Sequence, residues 1–555
     1  MNLLDYFPTK FTATSTQIDI LKKIDSAIQS NIPNIILCAP TGIGKSAIAT
    51  TVGRAMNSSF IVTAQKILQN QYVDDFQWLY SIKGKSNFLC VDLWDAEKES
   101  FDDAIRKPEL RCTFGECIKK EKIGNNEFKF TNCDYKPRIE EYQIVMGGDE
   151  KEQILGPKNM CHYYDQKFKG LHASHTVFNY ASFFQTLKFN QNFSELLNRN
   201  CLIADEAHEI EDQILEFIKF RLSKKFFKDS KIKLDTFDLT KNDNILTLLN
   251  ELNKEYQDSI EQFEENGEDL KKIELIKNKQ SEIKIILERL NNNLNNFVLE
   301  IDEKNKDNIS IIPIEITDYV KEFFNFPTQL FMSATINKEM FCETMGFSED
   351  DCEFIEIESS PFKKENRQVH FLNTVTLSRG PSEDEWKKAY SKTEELMKQH
   401  SNDRGIILTT SKSQCDDLLD VLDEDSWLRI KIVHSDIDEE KETIIQKHAD
   451  SKKSSVLLSP SLWYGVDLAN DLSRFQIILK TPFVPPMEKR IKIKAGRNWK
   501  WYQYTALVKL LQGFGRSIRN ENDFAITYVL DSKALELLQS MKQFVPKAYH
   551  DILPI

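Results

Sequence analysis

The sequence predicts an α/β protein with two domains, each built around a parallel β-sheet. Short apolar runs recur along the chain without alternation, which is typical of strands that are buried on both faces of a sheet. Segments of helical periodicity, such as residues 17–28, lie between these runs. The chain has 555 residues, more than one hydrophobic core usually serves, and this length also favours several structural units.

The predicted strands form two sets along the chain. The first set comprises residues 35–38, 60–62, 201–204 and 329–332. The second set comprises residues 406–408, 456–458, 475–479 and 526–530. Two long segments, 80–170 and 215–320, interrupt the first set, so we expect the first domain to carry two insertions.

The composition excludes several classes of protein. With 41% hydrophobic and 29% charged residues the chain can bury real cores, which excludes global disorder. No apolar run reaches the roughly 18 residues that a membrane span needs. The first residues lack the features of a signal peptide, so we expect a cytoplasmic protein with no membrane partner. The net charge of −13 does not exclude nucleic acid, because it does not say where the charges lie.

A phosphate-binding loop is predicted after the first strand. The loop residues predicted to bind a nucleotide are Thr41, Gly42, Gly44, Lys45 and Ser46. The two glycines let backbone amides turn towards phosphate oxygens, and the start of the next helix adds a positive dipole. Lys45 can reach the β- and γ-phosphates, and the Ser46 hydroxyl can bind magnesium. The first position of the usual pattern is Ala39 instead of glycine.

Two carboxylates follow the third strand of the first set, in the run Asp205-Glu206-Ala207-His208. At a strand end beside a phosphate loop, Asp205 is predicted to hold magnesium through water. Glu206 is then in a position to polarise the attacking water. Two acids after a strand would, taken alone, more often be a solvated loop. The phosphate loop on a neighbouring strand favours the catalytic interpretation.

Near the C-terminus, Gln512, Arg516 and Arg519 have the spacing of one helix face. Two guanidiniums presented from the second domain would neutralise the charge that develops on the γ-phosphate. The alternative is an exposed basic helix, which would not need the two glycines at 513 and 515. A further motif, 333–335, follows the fourth strand.

The two insertions differ in character. Residues 80–170 contain five of the ten cysteines, enough for the four thiolates of an iron–sulfur cluster. Ten cysteines are too few for a disulfide scaffold, and cytosolic redox conditions favour a metal centre over disulfides, with free structural thiols as the alternative. Residues 215–320 are expected to be helical. A seam with three–four spacing predicts a helical hairpin that packs on itself, with a dimer zipper as the alternative. This seam is formed by Ile273, Ile276, Ile283, Leu287, Leu290, Leu294 and Phe297.

Taken in order, the motifs at 39–46, 205–208, 333–335 and 512–519 resemble those of superfamily-two helicases. The cysteine-rich and helical insertions, with the segments 360–362 and 461–467, narrow the resemblance to the XPD/DinG family of iron–sulfur DNA helicases. The resemblance covers essentially the whole chain. It implies two RecA-like motor domains, with an iron–sulfur insertion and a helical arch insertion in the first. The implied boundaries are 1–79, 171–214 and 321–362 for motor domain 1, 80–170 for the iron–sulfur domain, 215–320 for the arch and 363–555 for motor domain 2.

The resemblance also implies a function: an ATP-dependent 5′→3′ DNA helicase that translocates on single-stranded DNA and unwinds duplex in DNA repair or replication. It implies ATP, Mg²⁺ and a 4Fe-4S cluster as cofactors, forked DNA as a partner and a monomeric motor. Two alternatives differ in class. One is a DNA-stimulated ATPase switch that remodels a nucleic-acid complex without processive unwinding, and the other is an ATPase that acts on proteins.

Further residue roles come from the resemblance. Gln17 matches the residue that reads adenine, and Asp467 matches a nucleotide-binding position. Cys90 and Cys161 match the first and last cluster ligands. Cys112 and Cys117 are favoured as the other two, with Cys133 as an alternative to one of them. Zinc would use the same thiolates.

A nucleic-acid surface is predicted from residues 489–500, which contain six basic side chains and lie beside the aromatic side chains of Trp499, Trp501, Tyr502 and Tyr504. The alternative is a solvated basic face with core aromatics. The segments 63–66 and 409–412 end parallel strands in the two domains and are predicted to bind backbone phosphates.

Overall fold

The computed structural model describes residues 2–97, 100, 104, 107–115, 117–122, 128–146, 152–189, 194–227, 230, 232, 237, 242–266, 270–302, 308–377, 380–434, 441–463, 468–485, 488–518 and 522–555. The strands, in chain order, are β1 (Asn34–Cys38), β2 (Ser59–Thr63), β3 (Tyr80–Ile82), β4 (Ile118–Lys122), β5 (Phe128–Asn132), β6 (Gln143–Met146), β7 (Glu152–Leu155), β8 (His175–Asn179), β9 (Cys201–Asp205), β10 (Phe220–Leu222), β11 (Phe297–Ile301), β12 (Ile309–Pro313), β13 (Thr328–Ser333), β14 (Cys352–Glu356), β15 (Arg367–Val375), β16 (Gly405–Leu408), β17 (Ile430–Ile432), β18 (Val456–Ser459), β19 (Phe475–Ile478) and β20 (Ala525–Asp531).

The α-helices of the described residues are Ser15–Gln29, Lys45–Ala55, Lys66–Asp75, Val91–Glu97, His162–His172, Tyr180–Phe189, Ser194–Leu197, Ile210–Ile218, Lys224–Phe227, Asn242–Glu265, Leu270–Asn292, Thr317–Phe323, Lys338–Met345, Glu383–Gln399, Lys412–Leu419, Glu424–Trp427, Lys441–Ala449, Lys489–Arg497, Trp499–Phe514 and Ser532–Ser540. In the described part of the chain, no helix is long and apolar enough to cross a membrane.

The first sheet has seven parallel strands in the order β14-β1-β13-β9-β2-β8-β3. Every residue of β1, β2 and β9 is buried, as their continuous apolar sequences predict. Because β13 lies between β1 and β9, the segments that follow these three strands meet at one edge of the sheet. This arrangement brings the predicted phosphate loop, the 333–335 motif and the two carboxylates together.

The second sheet has six strands in the order β15-β20-β19-β16-β18-β17, and all its pairings are parallel. All four strands predicted for this region are present in it. The predicted α/β class, with a parallel sheet in each half of the chain, is therefore confirmed.

The segment 215–320, expected to be helical, contains strands as well as helices. The helices Asn242–Glu265 and Leu270–Asn292 pack on each other, beside a three-stranded antiparallel sheet of β10, β12 and β11. The predicted seam ends early, because Leu294 lies in a 3-10 turn and Phe297 begins β11. Gln280 interrupts the seam and is buried, where its side-chain amide donates to Gln257 Oε1 over 2.9 Å.

Candidate active site

The phosphate loop has the geometry that its sequence predicts. Gly42 and Gly44 have φ angles of 84° and 78°, in the left-handed region that favours glycine. Helix Lys45–Ala55 begins directly after Gly44. A Cβ atom on Gly42 would lie 2.3 Å from the ring of Phe362, so the 360–362 segment packs closely against the loop. Lys45 folds back, and its Nζ donates to the Ala39 carbonyl over 3.2 Å.

Gln17 lies against this loop. Its side chain and that of Thr14 form a capping box at the start of helix Ser15–Gln29. Gln17 Nε2 also donates to the Ile43 carbonyl over 2.9 Å. Both ends of the amide therefore have partners in the protein, which fix the loop to the first helix. Recognition of adenine by Gln17 stays a prediction.

Asp205 and Glu206 end β9 at the same edge. One Asp205 oxygen, Oδ1, accepts the Glu206 backbone N–H over 3.0 Å, and the other, Oδ2, accepts the Tyr72 hydroxyl over 2.9 Å. Burial, and then the neighbouring charge of Glu206, raise the pKa of Asp205 to about 6. Glu206 has a φ of 52°, unusual for a side chain with a Cβ. Backbone strain of this kind is common where a side chain must be aimed at a reaction centre.

A chain of polar contacts runs from these carboxylates into the second half of the protein. His208 Nδ1 lies 2.9 Å from Ser333 Oγ, and Ser333 Oγ lies 3.5 Å from Thr335 Oγ1. Gln512 Nε2 donates to Thr335 Oγ1 over 2.9 Å. Burial lowers the pKa of His208 to about 4, so its imidazole is neutral at physiological pH. These contacts link residues 205–208, which we call the DEAH segment, to Gln512 through the 333–335 motif.

The predicted residues from both halves line one cleft of about 370 Å³. Its walls are formed by Thr41, Gly42, Gly44, Lys45, Ser46, Gln65, Ile67, Leu68, Gln71, Tyr72, Asp75, Asp205, Glu206, His208, Glu209, Gln512, Gly515, Arg516 and Tyr549. Ser46 and Asp205 are among the side chains of this cleft that carry the oxygen donors magnesium prefers.

One detail of the second half differs from the prediction. Helix Trp499–Phe514 ends before Arg516, so a continuous helix face through this residue is wrong. Arg516 still lies over the last turn, and its Nε donates to the Gln512 carbonyl over 3.3 Å. Arg519 and Asp467 lie outside the described residues.

Comparison with known proteins gives two family matches. The family model described as "Helicase C-terminal domain" matches residues 393–551. The one described as "Type III restriction enzyme, res subunit" matches residues 10–240. A relative from Haemophilus influenzae, "ATP-dependent DNA helicase YoaA", is 23% identical over 94% of this chain and 91% of its own length.

Comparison with solved structures shows that the fold is that of the XPD helicases. "XPD_Helicase" has a TM-score of 0.61 at 17% identity, and the match covers 96% of this chain and 98% of the other. "XPD_APO" has a TM-score of 0.57 at 16% identity, over 94% and 98%. "Structure of S. tokodaii Xpd4" has a TM-score of 0.55 at 12% identity, over 95% and 98%. The chain thus has the fold of the XPD helicases and is similar in sequence to a DNA helicase over most of its length.

The cysteine-rich segment of the chain brings its thiols to one place. The small cavity there is lined by Cys90, Cys112, Cys117, Cys133 and Cys161, among others. Hydrogen-bonding contacts join the Cys112 thiol to those of Cys117 and Cys161 and lower the pKa values of these two thiols. The same contacts raise the pKa of Cys112. Among the residues that the structure describes, no group of three or more His, Cys, Asp or Glu is arranged to hold a metal ion, so the cluster stays a prediction.

The basic strip at 489–500 differs most from its prediction. Arg490 and Lys494 are only 6% and 3% exposed, and both pair with Glu211 on helix Ile210–Ile218, which follows the DEAH segment. Lys494 Nζ also lies 2.6 Å from Glu315 Oε2, and Trp501 Nε1 donates to Glu211 Oε2 over 3.0 Å. We call this group of five side chains the Glu211 joint. Because Arg490 and Lys494 are buried and paired with acids of the first half, the prediction that these two side chains bind DNA is wrong.

Tyr72 and Glu211 contact the predicted residues but belong to none of the motifs. No motif marks Tyr72, because its partner Asp205 is 133 positions away. For Glu211 the sequence does contain a signal. Arg490 and Lys494 are four residues apart and lie on one helix face, a spacing that allows both to share one acidic partner.

Proposed function

We propose that this chain is an ATP-driven motor that translocates 5′→3′ along single-stranded DNA and unwinds duplex DNA. The proposal rests above all on the single cleft, where a phosphate loop and two carboxylates from the first sheet face Gln512 and Arg516 from the second half. A site shared between two halves closes and opens as a nucleotide is bound and hydrolysed, and such closure can alternate the grip on a strand. The name of the Haemophilus influenzae relative, a DNA helicase, supports DNA as the nucleic acid.

Each residue of the cleft has a role in this proposal. The loop amides and Lys45 bind the β- and γ-phosphates, and Ser46 and Asp205 hold magnesium, which supplies positive charge at the transferred phosphate. Glu206 accepts a proton from the attacking water. Arg516 neutralises charge that develops on the γ-phosphate, and Gln512 holds the cleft together through Thr335.

Nucleotide turnover and strand separation test the proposal together. We expect single-stranded DNA to stimulate ATP hydrolysis, and we expect forks with a 5′ single-stranded tail to be unwound in preference to forks with a 3′ tail. Lys45→Ala should abolish both activities, whereas Lys452→Ala, on an exposed turn of the second half, should leave both near normal. Near-normal hydrolysis by Lys45→Ala would contradict the site. Stimulated hydrolysis without strand separation would favour a remodelling switch, and a lack of stimulation by DNA would favour an ATPase that acts on proteins.

We further infer that residues 80–170 hold a 4Fe-4S cluster through Cys90, Cys112, Cys117 and Cys161, with Cys133 as the alternative ligand. Four thiolates are the donor set that such a cluster needs. Two observations support a cluster at these thiols. The cysteines line a common cavity, and residue 115 is a glycine at a point where a Cβ atom would lie only 2.4 Å from Cys90 Sγ and would crowd that thiol. When bound, the cluster would hold the separate backbone segments of this insertion together. By the same proposal, residues 215–320 form the arch insertion and 363–555 the second motor domain.

Iron content tests the ligand set. Cys161→Ser should lower bound iron, bleach the brown colour and reduce unwinding more than ATP hydrolysis. Cys415→Ser is a matched control, because Cys415 is equally buried but lies in the second half of the chain beside Thr409. Unchanged iron in Cys161→Ser, or zinc in place of iron in the purified protein, would contradict the assignment.

A further inference from the structure

Helix Lys66–Asp75 places a tyrosine against the carboxylate that is expected to bind magnesium. The Tyr72 hydroxyl donates to Asp205 Oδ2 over 2.9 Å, and both residues are buried. The second oxygen accepts the Glu206 backbone N–H over 3.0 Å. Each carboxylate oxygen therefore has one fixed donor, and each keeps a lone pair for another ligand.

The helix that carries Tyr72 is itself held firmly. Gln69 is fully buried one turn before Tyr72, and its Nε2 lies 3.0 Å from Ser81 Oγ, from the Ile82 carbonyl and from the Val177 carbonyl. These acceptors belong to β3 and β8 of the first sheet. The Tyr72 hydroxyl is thus presented by an anchored helix, so its position is set by the sheet.

We propose that Tyr72 is a positioning residue that fixes the Asp205 carboxylate in the orientation that receives magnesium, and so sets the magnesium affinity of the nucleotide site. This inference rests on the proposed function. A carboxylate held by hydrogen bonds binds a metal without first losing its rotational freedom, and removal of such an outer partner typically weakens metal binding by about 10- to 100-fold. Because helix Lys66–Asp75 begins next to the predicted phosphate-contacting segment 63–66, Tyr72 also connects that segment to the metal site.

A second tyrosine provides a matched control. Tyr180 is as buried as Tyr72, and its hydroxyl donates to the backbone carbonyl of the same residue, Asp205, over 3.2 Å. Substitution of either tyrosine by phenylalanine removes the hydroxyl oxygen and keeps the ring. Only the Tyr72 hydroxyl contacts the carboxylate, so a role in metal positioning predicts different results for the two variants, and a merely structural role predicts similar ones.

The test measures binding of a fluorescent, non-hydrolysable ATP analogue to the full-length chain as a function of Mg²⁺ concentration. Tyr72→Phe should raise the Mg²⁺ concentration at half-maximal binding by about tenfold, whereas Tyr180→Phe should change it by less than about twofold. A Tyr72→Phe curve that overlies the wild-type curve, or equal shifts in both variants, would overturn the inference alone. Wild-type protein that binds no nucleotide, or binds it without need of Mg²⁺, would overturn the proposed function as well.

Discussion

The nucleotide cleft and the basic strip at 489–500 are both dense in charged side chains, yet the protein uses these charges differently. In the cleft, Lys45 donates to a backbone carbonyl, and Asp205 and Glu206 line open space beside it. In the strip, Arg490 and Lys494 are covered and paired with acids of the first half. A motif attached to the end of a parallel strand predicts where its side chains lie. A run of charge does not, because a partner from a distant segment can neutralise it.

The largest expected effect that tests this comparison is on stability. Burial disfavours the charged Glu211 carboxylate, but Lys494 and Arg490 outweigh burial and hold its pKa at about 2. Glu211→Gln leaves two buried cations without this partner and should lower the free energy of unfolding at pH 7 by about 3 kcal/mol. Denaturant titration of the purified chain measures this change. Glu216→Gln, on the same helix but in an exposed ion pair, should cost less than about 0.5 kcal/mol.

The pH dependence of this effect has a definite sign. The pKa of Glu211 is lower in the folded chain than its ordinary value of 4.5, so its stabilisation is complete above pH 4.5 and is lost as the pH falls from there towards about 2. The difference in unfolding free energy between wild type and Glu211→Gln should therefore shrink as the pH is lowered below about 4.5. A difference that stays constant with pH would mean that the joint is not held by the charge of Glu211.

A smaller effect is expected on the exposed side of the strip. Lys492 lies on the same helix as Lys494 but faces solvent. Lys492→Glu should change the free energy of unfolding by less than about 0.5 kcal/mol. If the strip lies outside the DNA path, the salt dependence of single-strand affinity should also be unchanged. A decrease of about 1 in the slope of log Kd against log salt concentration would show instead that the exposed face of this helix binds DNA.

The sequence predicts most of the two sheets, because strands buried on both faces leave uninterrupted apolar runs. It does not predict β8, whose ends are His175 and Asn179, or the three-residue β3 at the sheet edge. The antiparallel sheet of β10, β11 and β12 was also missed, because its short strands lie within a long segment dominated by helical periodicity.

The candidate site shows the same division. The phosphate loop and the carboxylates of Asp205 and Glu206 are local patterns whose geometry follows from strand ends. Tyr72 and Glu211 act through partners more than a hundred positions away, and such contacts depend on strand order, which local spacing does not contain. Arg516 lies between these cases: the motif identified it, but helix periodicity placed it on a helix that ends at Phe514.

The central claim is that one catalytic site is completed by residues from both halves of the chain. The most direct test is single-turnover hydrolysis of ATP by Arg516→Ala, with nucleotide affinity measured alongside and Arg497→Ala, outside the cleft, as the control. A guanidinium that stabilises charge on the γ-phosphate contributes about 1,000-fold or more to the rate. We therefore expect Arg516→Ala to bind nucleotide with affinity close to that of the wild type and to hydrolyse it at least about 1,000-fold more slowly. Hydrolysis within about tenfold of the wild-type rate would contradict the claim, since the second half would then contribute little to the chemical step.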